Sequence, residues 1–321
     1  MSVSGVLFLV GAIAGAAADS APTPPGQPAQ GPGSSQYKHA RVVGRSYGTG
    51  PTAYWIFEPA EPTPKSAPLV VFNHGWLLYV PRAYAAWTDH LAKRGNIVVY
   101  PAYQDSPFTP ADSFTPNAIR GVKDGIRELQ TGPHVRPQLD KFAIVGHSAG
   151  GVIAADMAVR ARDAGLPAPK ALMIVEPGRG NLGGKPNLPI DDYTKIPNNL
   201  LMLVVIGETY ALGTDPWPAK LIYSQAPLPR TAKNFITIRG DRHGRPALVS
   251  DHMAACGKWG SRRPQGVDAM DYYGHWKPFD ALCDAAFYGR HRAEALGNSP
   301  QQRYMGRWSD GVPVREVVVT E

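Results

Sequence analysis

The sequence predicts an α/β protein with a mostly parallel sheet covered by helices on both faces. Three observations lead there. Short apolar runs alternate with helix-like stretches along the chain. The runs are continuously apolar, without the every-other-residue pattern of a half-exposed strand. The 321 residues, 43% of them hydrophobic and 18% charged, suffice for one large core.

Each element follows from its local pattern. Residues 53–58 read as a strand and 69–73 (LVVFN) as a buried one. Residues 83–93 form an amphipathic helix pattern stopped at Gly95, followed by the strand 96–100 (NIVVY). A helix over 117–129, a strand at 142–145 and a helix over 151–164 come next. The strands 171–175 (ALMIV), 200–206 (LLMLVVI) and 235–238 (FITI) complete the set, and 248–255 reads as a further helix. In such sheets ligands bind beyond the carboxyl ends of the strands, so any chemistry belongs in the loops that follow these runs.

Outside the core pattern, residues 6–18 are an apolar Ala/Gly-rich run ending in Ala16-Ala17-Ala18. That is too short for a membrane span and fits a signal peptide over 1–18, which implies a secreted or periplasmic protein. Residues 19–36, rich in Pro, Gly, Ser and Gln, read as a disordered linker, leaving 37–321 as the folded domain. No later segment has the length and apolarity of a membrane span. The formal charge is +7, but Lys and Arg are scattered rather than gathered on one stripe, which argues against nucleic-acid binding. A monomer is expected. With export, the two cysteines, Cys256 and Cys283, are expected to form one disulfide.

The strongest motif is Gly146-His147-Ser148-Ala149-Gly150, a G-x-S-x-G that follows one predicted strand and opens a helix. A sharp strand-to-helix turn exposes the serine hydroxyl, and helix N–H groups behind it favour developing negative charge. A hydroxyl needs a positioned base. The loop after the last strand offers His243 within GDRHG, with His252 as its rival. The orienting carboxylate is read as Asp215, with Glu208 and Glu176 as alternatives. The oxyanion donors are read as the main-chain N–H groups of Ala149 and of Trp76 in His74-Gly75-Trp76. His74 precedes the serine in the chain and is read as structural. No HExxH, CxxC or Walker pattern is present, and no metal or cofactor is expected.

The order HGW, GHSAG, Asp215 and GDRHG on alternating strands and helices resembles the α/β-hydrolase superfamily over roughly residues 37–252. Within it the chain is similar to secreted bacterial esterases of the dienelactone-hydrolase, cutinase and polyester-hydrolase group. The resemblance implies an α/β-hydrolase fold and hydrolysis of small or polymeric carboxylic esters through an acyl-enzyme, without a metal. Only residues 177–199 separate two neighbouring strands where cap domains are often inserted, so no large cap is expected. Tyr103 and Trp217, in loops beyond the strands, are candidates to line the substrate cleft. Two other readings stand beside the esterase: a peptidase or amidase using the same triad, and a non-catalytic binding protein on the same fold.

Overall fold

A computed structural model describes residues 1, 21–180, 187–208, 216–257 and 266–320. The signal-peptide stretch therefore lies outside the described residues except for Met1, and so does Asp215. In chain order the main elements are β1 (Arg41–Tyr47), β2 (Tyr54–Ala60), β3 (Ser66–Asn73), α1 (Ala85–Lys93) and β4 (Ile97–Pro101). Then come α2 (Phe114–Thr131), β5 (Arg136–His147), α3 (Ala149–Arg160), β6 (Ala171–Val175) and β7 (Leu201–Gly207). Last come α4 (Trp217–Gln225), β8 (Lys233–Ile238), α5 (Lys277–Tyr288), α6 (Arg292–Ala295), α7 (Pro300–Arg303) and β9 (Val318–Thr320).

The strands form one nine-stranded sheet in the order β1-β2-β4-β3-β5-β6-β7-β8-β9. From β4 to β8 every neighbouring pair is parallel, while β1, β2 and β9 add antiparallel edges. The continuous apolar runs now have a cause. Val71, Ile144, Ile174 and Val204 pack with Val122 of α2, Val152 of α3 and Ile222 of α4 in one core cluster. Their chain neighbours Phe72, Val145, Val175 and Val205 join Trp87 of α1 and Phe279 of α5 in a second cluster. Both faces of each central strand are thus covered, and each buried Val, Leu or Phe contributes about 1.5–3 kcal/mol of hydrophobic stabilisation.

Three expectations are corrected by these contacts. The Pro-rich stretch lies against the domain over residues 21–36 instead of running as a disordered linker. Pro22 O accepts from Arg245 N at 2.8 Å, Thr23 O from Ser309 N at 3.0 Å, and Gly33 N donates to Asp280 Oδ2 at 2.8 Å. The stretch lacks apolar periodicity, as its composition shows, but its backbone groups find partners on the domain. Residues 248–255 form turns rather than a helix, because Leu248 exchanges two backbone hydrogen bonds of 2.8 Å with Asp241 and closes a hairpin. Cys256 and Cys283 are both buried thiols with no disulfide between them. Gly257 N anchors the first to Ala83 O at 2.7 Å, whereas the second belongs to α5. Burial, then the carboxylates of Asp280 and Asp284, push the Cys283 thiol well above its ordinary pKa. No helix among the described residues is long and apolar enough to cross a membrane.

Candidate active site

β5 runs straight into α3 through a single residue, Ser148, whose backbone (φ 57°, ψ −124°) lies at positive φ. A non-glycine residue holds such a conformation only when its surroundings impose it. Here Ser148 N donates to Val175 O at 2.9 Å, while Ser148 O accepts from Gly151 N at 2.9 Å and Gly178 N at 3.1 Å. The flanking glycines are steric requirements. A Cβ on Gly146 would lie 1.9 Å from Gly150 O, and one on Gly150 would lie 2.2 Å from Asn73 O. The helix N-terminus behind the serine leaves its first N–H groups without intrahelical acceptors, Ala149 among them.

The histidine brought to this serine is His252, with Nε2 at 3.0 Å from Ser148 Oγ. His243 is placed elsewhere. It sits in the hairpin closed by Asp241 and Leu248, its Nε2 at 2.7 Å from Asp310 Oδ2 and its ring 5.7 Å from that of Trp308. The hairpin returns the chain to the carboxyl ends of the strands, where Ser250 Oγ donates to Ile238 O at 2.9 Å and His252 follows. The expectation that His243 faces the nucleophile is corrected on this geometry.

Across the ring from Ser148, the carboxylate facing His252 belongs to Glu176. Its Oε2 is 3.8 Å from His252 Nδ1, and its Oε1 accepts the Gly207 N–H. Glu176 is nearly buried, at the end of β6, with its own backbone at φ 46°. Among the described residues, no group makes a hydrogen bond of ordinary length to His252 Nδ1. Glu208 is turned away, 3.2 Å from Arg315 and exposed.

The loop after β3 runs beside the serine: a Cβ built on Gly75 would lie 3.4 Å from Ser148 Cβ. Trp76 comes next and packs against the core. The following N–H groups are committed, Leu77 N to Gln104 Oε1 at 2.8 Å and Leu78 N to Gly75 O at 3.0 Å. His74 is buried, stacked on Tyr103 with ring centres 3.9 Å apart, and burial lowers its pKa to about 4.

Tyr103 itself is fully buried and donates to His74 O at 2.7 Å, so it supports the loop and offers no surface to a substrate. Trp217 begins α4 and is 43% exposed, with the Arg179 guanidinium 5.8 Å from its ring centre. Among the described residues, no three His, Cys, Asp or Glu side chains converge as metal ligands.

One residue of the motif gains a position that pattern reading did not assign. His147 is buried between Tyr84 Oη at 2.6 Å and His252 O at 2.7 Å. Pattern reading treats it as the variable position of G-x-S-x-G, and only the fold brings its two partners together.

Sheet order, serine turn and histidine loop together define the α/β-hydrolase fold. A family model described as alpha/beta hydrolase fold matches residues 70–202, which span β3 to the start of β7 and include the Ser148 turn. No curated protein matches the sequence.

Proposed function

We propose that the protein is a serine hydrolase that cleaves carboxylic esters through an acyl-enzyme, with Ser148 as nucleophile, His252 as base and Glu176 as the orienting acid. The observation that carries this reading is the Ser148 Oγ held at positive φ, 3.0 Å from His252 Nε2. Neutral His252 accepts the hydroxyl proton as Oγ attacks the ester carbonyl carbon. The carbonyl oxygen becomes an oxyanion received by the N–H groups of Ala149 and Trp76. As the tetrahedral intermediate collapses, the bond to the leaving oxygen breaks and His252 returns the proton to it, releasing the alcohol. Water then gives a proton to His252 and attacks the acyl carbon; Ser148 leaves and recovers that proton, and the acid is released. Glu176 stabilises the transient imidazolium. Its Oε2 faces Nδ1 at 3.8 Å, close enough for the carboxylate charge to act on the ring.

This reading moves the base from His243 to His252 and the acid from Asp215 to Glu176. The apolar, Ala-rich run over residues 6–18 supports export, and the ester is then one met outside the cytoplasm. The test is labelling with a fluorophosphonate, followed by a panel of p-nitrophenyl esters beside peptide anilides. Labelling confined to Ser148 and turnover of esters is the expected result. Turnover of anilides alone would make the protein an amidase, and an inert protein would favour a binding role.

A further inference from the structure

Four groups connect the loop beside the nucleophile to the loop that carries His252. Gly75 N donates to Tyr84 Oη at 3.0 Å, Tyr84 Oη lies 2.6 Å from His147 Nδ1, and His147 Nε2 lies 2.7 Å from His252 O. Tyr84 is 0% exposed and His147 1%, so no water competes for these bonds. The direction of every proton is fixed by the ends of the chain. His252 O is a carbonyl and can only accept, so His147 Nε2 carries the hydrogen. Nδ1 of the neutral ring must then accept, and Tyr84 donates to it while receiving the Gly75 N–H. Burial, then the neighbouring His252, hold His147 well below its ordinary pKa, and burial holds the Tyr84 hydroxyl well above its own. Both shifts favour the neutral forms that this pattern requires.

We propose that Tyr84 and His147 are positioning residues which lock the oxyanion loop and the histidine loop into one unit around Ser148. The proposal rests on the reading of Ser148 and His252 given above. Neither residue touches the reacting atoms. Tyr84 places the Gly75–Trp76 backbone, and His147 places the main chain of His252, whose ring is 4.9 Å from its own. The stacking of functions on one pair has a physical consequence: releasing either end should release both, because a buried chain of this kind is satisfied as a whole.

The experiment is a double-mutant cycle on ester turnover with Tyr84→Phe, His147→Leu and the pair, each with its melting temperature, plus His147→Gln and His252→Ala as references. Each single variant is expected to lower kcat by about 10–100-fold with KM within about threefold, and the double variant to be no worse than the poorer single. His147→Gln, whose side-chain amide can still donate to His252 O, is expected to recover most of the loss. Losses that multiply in the double variant would overturn the coupling. So would a folded His147→Leu or Tyr84→Phe enzyme with unchanged kcat. If His147→Leu does not fold, Tyr84→Phe decides alone: a folded Tyr84→Phe enzyme with unchanged kcat overturns the proposal, and a kcat lower by about 10–100-fold at unchanged KM upholds it. His252→Ala separates the two levels. Retained activity there sinks the base assignment, whereas its loss beside an active His147→Leu sinks only the relay.

Discussion

His243 and His252 leave the same strand, nine residues apart in one loop, and end in opposite surroundings. The first is about one-third exposed and pairs with Asp310 of the C-terminal segment. The second is mostly enclosed, faces Ser148 and has its main-chain carbonyl held by buried His147. What separates them is the hairpin between Asp241 and Leu248, which carries its turn outward and then brings the chain back. Distance along the chain from the last strand is therefore a poor guide to distance from the nucleophile. The path of the backbone decides which imidazole arrives.

The largest effect should fall on the residue both histidines compete to serve. Ser148→Ala removes the atom that forms the acyl-enzyme and should lower ester turnover by on the order of 10⁴–10⁶ while leaving melting unchanged. Near-normal turnover in that variant would remove the nucleophile from the mechanism. The comparison itself is broken or upheld next. His252→Ala should cost nearly as much as the serine variant, and His243→Ala should stay within about threefold, since its ring bonds only an exposed carboxylate. The reverse order of losses would return the base to His243.

A smaller loss tests the acid. Glu176→Gln keeps the shape and the carbonyl facing Gly207 N but removes the charge beside His252 Nδ1, and should lower kcat by ~10²–10⁴ with little change in KM. Glu208→Gln, which weakens the exposed contacts to Arg315 and the Gly240 N–H, should stay within about threefold. Asp215→Asn completes the set: a loss there equal to that expected of Glu176→Gln, with Glu176→Gln active, would restore Asp215 as the acid.

How much of this was legible follows the range of the interactions. The central strands were readable because burial on both faces leaves a continuous apolar run, as in 171–175 and 201–207. The serine was readable because its strand, glycines and helix are contiguous. The edge strands were harder. β1 is exposed along most of its length and β9 is three residues long, so neither shows a core pattern. The histidine loop failed for a different reason. Its course is set by contacts with Ala83, Trp308 and Arg315, which are far from it in the chain. Glu176 was visible as an acid at a strand end, but only the fold sets it across the ring from Ser148. The Pro-rich stretch has the composition of a linker because it has no core of its own, and the domain supplies its partners.

The smallest effect isolates the outer half of the loop. Asp241 anchors the hairpin: its Oδ1 accepts from His243 N at 3.0 Å, and its Oδ2 from Trp308 Nε1 at 3.1 Å and Arg315 N at 2.9 Å. Burial alone would raise its pKa, but the Arg315 and His243 N–H groups and the Trp308 indole outweigh it and hold the carboxyl below its ordinary value. A carboxylate with a lowered folded pKa stabilises the protein above its unfolded pKa, and that contribution disappears as pH falls through the folded value. Asp241→Asn should therefore lower the melting temperature at pH 7 by on the order of 5 °C, since an amide cannot accept at both positions. The gap from wild type should narrow as pH falls below about 4, where the unfolded carboxyl protonates and then the folded one follows. Turnover at saturating ester should change by less than about threefold, because His147 and Ser250 hold the inner half independently. A melting gap that is constant from pH 7 to pH 3 would show that the charge of Asp241 contributes nothing. A large fall in kcat without a change in melting would show that the two halves of the loop are not separable, and that His243 and His252 are held as one structure.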